Sequence, residues 1–102
     1  MGLRTELHNE LKTLLGSSNA YFQPPESIRM KYPCYVYSRE PSHILRADNQ
    51  AYRRVRKYDL IYITLDPDDP LIEKTEDHFQ MCKFRRSYKA DDLNHYYYDL
   101  YY

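Results

Sequence analysis

The run YRRVRKYDLIYITL, residues 52 to 65, constrains this chain more than any other segment. Val55, Lys57, Asp59, Ile61, Ile63 and Leu65 fall on one side of an extended backbone, and Arg56, Tyr58, Leu60, Tyr62 and Thr64 on the other. Its β-branched and aromatic content fits a pleated, half-buried strand. The charged first half is expected to protrude from a sheet, with LIYITL buried within it.

The remaining elements arrange themselves around that strand. Leu3, Leu7, Leu11, Leu14 and Leu15 form the stripe of an amphipathic helix that Gly16 stops. Ala20 to Gln23 reads as a short extended piece, which Pro24-Pro25 bars from a central position. CYVYSR, after Pro33, reads as a strand, and EPSHILRADNQA (40 to 51) as a long connection. DPDDP (66 to 70) ends the long strand and opens a helix, with Asp69 as cap, Pro70 at the first helical position and Leu71, Ile72, Thr75 and Phe79 on its apolar side. MCKFRRSY (81 to 88) and HYYYDLYY (95 to 102) read as two further strands, joined by a turn in KADDLN (89 to 94). The expectation is a single domain over residues 1–102 of the α+β class. It has a mainly antiparallel sheet of four to five strands flanked by two helices, in the order α-(β)-β-β-α-β-β.

Composition narrows the chemistry. Fifteen basic and fifteen acidic side chains cancel, so there is no global field to hold the chain on nucleic acid or an anionic membrane. The apolar runs are far too short to span a bilayer and MGLRTELHNEL lacks a signal-peptide core, so the chain is expected to be soluble and cytosolic. Cys34 and Cys82 lack zinc-site spacing and are expected to be reduced and buried in strands. His8, His43, His78 and His95 are scattered, with no partner motif for nucleophilic catalysis. No cofactor, metal or catalytic residue is expected. Asp66, Asp68 and Asp69 are read as a turn and helix cap rather than hard-metal ligands, because the calcium-loop glycine is missing.

Two features point outward instead. Arg53, Arg54, Arg56 and Lys57, interleaved with Tyr52 and Tyr58 and joined by Arg85 and Arg86, read as a phosphate-contacting ribbon or as a solvated hairpin end that pairs with a neighbouring subunit. Thirteen tyrosines, five of them in the last seven residues, put rings on both faces of the final strand. One face is expected to be core and the other covered by a partner.

The ordered segments YFQPPESIRMKYPCYVY (21 to 37), ADNQAYRRVRKYDLIYITLDPDDP (47 to 70) and LNHYYYDLYY (93 to 102) resemble the small tail-completion proteins of long-tailed phages and prophages, the tail terminator or head-to-tail joining group. The resemblance implies a ring, usually of six copies, at the head-proximal end of the tail tube. There it would stop tube polymerisation and join the tail to the head connector while DNA passes through without specific binding. Its place would be the virion tail, and the host cytoplasm during assembly. On this reading Arg46, Asp48, Asn49, Tyr52, Arg53, Arg54, Arg56 and Tyr101 are expected at the interface with the next subunit or the tube. Asp66, Asp68 and Asp69 are expected to face the channel. The competing readings are a toxin-like, metal-independent ribonuclease and a small nucleic-acid-binding module.

Overall fold

The computed structural model describes the backbone of residues 3–46 and 54–102 and the side chains of residues 3–40 and 56–102. The elements are α1 (Arg4–Leu15), β1 (Ala20–Phe22), β2 (Cys34–Arg46), β3 (Arg54–Thr64), α2 (Leu71–His78), β4 (Cys82–Ala90) and β5 (Leu93–Tyr101). The strands form one sheet in the order β1-β2-β3-β5-β4. Only the β1–β2 pair is parallel; the other three are antiparallel. The fold is therefore α+β, with both helices on one side of the sheet.

Local chemistry accounts for most of the boundaries. Gly16 closes α1 in the left-handed region at φ 78°, and its N–H donates to the Lys12 carbonyl at 2.9 Å. Asp69 caps α2 by accepting the Leu71 N–H on Oδ1 at 2.9 Å. Asp91 and Asp92 both have positive φ, 53° and 62°, so β4 and β5 join through a two-residue turn of the type whose twist matches a hairpin. That turn is shorter than the six residues 89 to 94 that the sequence suggested.

Three expectations need correction. The stretch read as a long connection is largely strand: β2 runs on to Arg46, and its ladder with β3 slips between Glu40 and Ile44 before resuming. Pro41 has no N–H to give to a ladder, so an irregularity at this point keeps the strand intact. Leu3 precedes α1 and is 68% exposed, so the buried stripe begins at Leu7. Leu65 lies past the end of β3 and is 65% exposed, whereas its neighbours Ile63 and Thr64 are buried.

The core lies between the sheet and the helices, and tyrosine dominates it. Tyr35, Tyr37, Tyr58, Leu60, Tyr62, Tyr98 and Leu100 from the strands meet Leu7 and Leu11 of α1 and Phe79, which follows α2. Burying a phenol requires a partner for its hydroxyl. Tyr35 donates to Thr75 Oγ1 at 2.6 Å, and Thr75 passes the bond on to the Leu71 carbonyl. Tyr98 donates to the Ile72 carbonyl at 2.6 Å, and Tyr62 to Asp69 Oδ2 at 2.5 Å. Tyr37 meets His8 Nδ1 at 2.7 Å, and Tyr102 donates to Glu10, which also holds His78 at 3.1 Å. These bonds tie each helix to the strands beneath it.

Candidate interaction face

Strand alternation gives the sheet a second face, and no helix of the described residues covers it. Lys57 and Asp59 of β3, Tyr97, Asp99 and Tyr101 of β5 and several β4 side chains stand on it. At its centre is a charged ladder. Lys57 Nζ lies 3.9 Å from Asp59 and 3.4 Å from Asp99, and Arg85 Nη1 lies 3.6 Å and 3.4 Å from the same two carboxylates. Two cations thus bridge two carboxylates across three strands, at a surface where single pairs contribute little.

Beside the ladder, toward the β4 edge, is an aromatic group. Tyr88 and His95 stack with ring centroids 4.7 Å apart and planes 5° from parallel. The Tyr88 and Tyr97 hydroxyls are 3.0 Å apart. The Arg86 guanidinium lies 4.7 Å from the centre of the Tyr97 ring and 5.9 Å from that of Tyr88. His95 Nδ1 is 3.1 Å from the Leu93 carbonyl, a bond that fixes the ring's orientation. Burial, followed by the Tyr88 hydroxyl, raises the Tyr97 pKa and keeps the phenol neutral.

A bulge makes this arrangement possible. Phe84 pairs with Tyr98 but Arg86 pairs with Tyr97, so Arg85 is the extra residue. Strict alternation would send Arg85 and Arg86 to opposite faces. The bulge instead turns both onto the helix-free face, Arg85 into the carboxylate ladder and Arg86 over the rings. Sequence reasoning noted both arginines but missed their shared face, along with Tyr88 and His95. The signal available was the RR pair in mid-strand, which breaks the alternation of CKFRRSYKA.

The residues expected at an interface separate into two groups. Asp48, Asn49, Tyr52 and Arg53 lie outside the described residues. Arg46 and Arg54 are opposite one another in the β2–β3 ladder, and Arg56 exchanges backbone hydrogen bonds with Tyr102 at 3.1 and 3.0 Å. Tyr101, half-buried, pairs with Lys57 at the same end of the sheet. Asp66, Asp68 and Asp69 follow the other end of β3, roughly 30 Å away along that strand. Asp69 is turned inward and takes bonds from Tyr62, Thr64 and the Leu71 N–H. Asp66 accepts the Asp68 N–H at 2.9 Å, so only Asp66 and Asp68 expose carboxylates there. The Asp91–Asp92 turn joins them, because Asn94 pairs with Thr64.

A groove of about 410 Å³ runs between the helices, lined by Asn9, Glu10, Leu14, Leu71, Lys74 and His78 among others. Among the described residues no group of three or more His, Cys, Asp or Glu converges as metal ligands would. Burial pushes both thiols up to about 12, which leaves Cys34 and Cys82 protonated and poorly nucleophilic at neutral pH. Comparisons with protein-family models, with curated proteins and with solved structures each returned no match.

Proposed function

We propose that this chain is a ring-forming tail-terminator subunit, which caps the head-proximal end of a phage tail tube and joins it to the head connector. The observation that carries the reading is the end of the β2–β3 hairpin. β5 accompanies β3 only from Lys57 to Thr64, with one more pair of bonds at Arg56. Leu45 and Arg46 therefore pair with Val55 and Arg54 as a two-stranded ribbon that no third strand joins among the described residues. Such a ribbon is marginal by itself in water and gains stability when a neighbour covers it.

Charge placement supports the same reading. Basic residues collect at the ribbon end of the sheet and carboxylates at the other, within a chain of zero net charge. Opposite ends of unlike sign favour a head-to-tail contact, and such contacts close into rings when the rotation is right. In this arrangement Asp66 and Asp68 face the channel and keep DNA from adhering.

The test is the assembly state, followed by light scattering on a sizing column and electron microscopy, with and without tails that lack the protein. Rings, and their loss on changing Arg53 and Arg54 together to Glu, are the expected result. Tails completed normally by that double variant would count against the ribbon. A strict monomer that cleaves RNA without metal would replace the reading with the ribonuclease alternative.

A further inference from the structure

We infer that the β4–β5 half of the helix-free face is a binding strip for single-stranded nucleic acid, in which Tyr88 stacks on a base and Arg86 takes an adjacent phosphate. The inference stands on the β4 bulge and its aromatic group, and does not depend on ring assembly.

The strip has the two components such sites need, a cationic track and a presented π surface. On this face β4 carries Lys83, Arg85 and Arg86 and no carboxylate. Arg85 is already engaged by Asp59 and Asp99, whereas Arg86 is held by ring faces. A guanidinium seated over a ring uses the ring's π face and not its N–H donors, which remain available to a phosphate. Tyr88 is 41% exposed although it lies flat against His95. The stack and the hydroxyl contact with Tyr97 hold its ring in place before any ligand arrives, which reduces the entropy lost on binding.

Two other uses of this region fit less well. An extended peptide adding to the β4 edge would meet a bulge, a row of cations and a Phe84 N–H that Glu76 already occupies at 2.7 Å. An acidic protein surface would use the cations but would have no need of a fixed, exposed aromatic plane. Duplex DNA hides its base faces, so a stacking platform selects the single strand.

Fluorescence anisotropy with labelled oligo-dT and oligo-rU of about 12 nucleotides, against a duplex of equal length, tests the inference. The single strands should bind more tightly than the duplex, and affinity should fall as salt rises from about 50 to 200 mM. Tyr88→Ala and Arg86→Ala should each weaken binding roughly tenfold, while Tyr88→Phe keeps the ring and most of the affinity. Circular dichroism shows whether Tyr88→Ala still folds, and Arg86→Glu gives the same reading from a residue outside the core. Duplex binding as tight as single-strand binding, indifference to both positions, or equal competition by poly-glutamate would each overturn the assignment.

Discussion

The two faces of the sheet use the same residue type under opposite rules. Toward the helices, tyrosines supply bulk, and their hydroxyls are matched one by one to Thr75, Asp69, His8, Glu10 and a helical carbonyl. Away from the helices, Tyr88 stacks on His95, Arg86 sits over the Tyr97 ring, and the two phenol hydroxyls meet each other. The covered face makes the fold stable, because apolar area leaves water there and the buried hydroxyls, that of Tyr58 excepted, are paired. The open face contributes little to stability and can therefore carry recognition. If this division holds, substitutions on the first face should change unfolding and those on the second should change binding.

The largest effect should come from cutting into the covered face. Leu11→Ala removes a fully buried side chain beneath α1, and a loss of about 2 to 5 kcal/mol is expected from urea unfolding. Asp69→Ala should follow at about 2 to 4 kcal/mol, because Tyr62, Thr64 and the Leu71 N–H lose a shared acceptor and α2 loses its cap. A smaller loss than that of an ordinary surface change would remove Asp69 from its structural role and restore it to the acidic surface.

Alkali tests the burial of the thiols and phenols without mutation. Cys34 and Cys82 titrate at about 12 in the folded chain, against about 8.5 when unfolded. Burial likewise raises Tyr35, Tyr62 and Tyr98. All are acids whose folded pKa lies above the unfolded one. Their stabilisation is complete below the unfolded value and is lost as pH rises through the folded one. Stability should hold to about pH 9 and then fall steadily toward pH 12. A flat urea midpoint across that interval would contradict the burial of these groups.

Two finer comparisons sharpen the contrast. Tyr35→Phe should cost about 1 kcal/mol by breaking the bond to Thr75. Tyr58→Phe should be neutral or stabilising, because its enclosed hydroxyl has no hydrogen-bond partner among the described residues. Arg85→Ala should also cost little, under about 1 kcal/mol, since the ladder it completes is on the wet side. A loss comparable to Leu11→Ala would mean that the ladder, and not the tyrosine core, holds the strands in register.

Much of this could be read in advance where the cause is local. Leucine spacing placed α1, Gly16 stopped it, alternation sorted Tyr58, Leu60 and Tyr62 from Asp59 and Ile61, and DPDDP opened α2. The stretch 40 to 46 was misread because Pro, Ser and a charge look like a loop, yet pairing with Arg54 to Arg56 extends it as strand. The candidate face was legible only as ingredients, a pair of arginines and a crowd of tyrosines.

The sequence by itself determined the helices, the core strands and the division of their side chains between two faces, because helix caps, turn residues and side-chain periods act within a few positions of the chain. Only the tertiary structure decided that β5 enters between β3 and β4, that the phenols of Tyr35, Tyr62 and Tyr98 find their acceptors while that of Tyr58 does not, and that a one-residue bulge turns Arg85 and Arg86 to the same side. These depend on pairings between residues up to 92 positions apart, as for Glu10 and Tyr102, and no local preference specifies such a pairing.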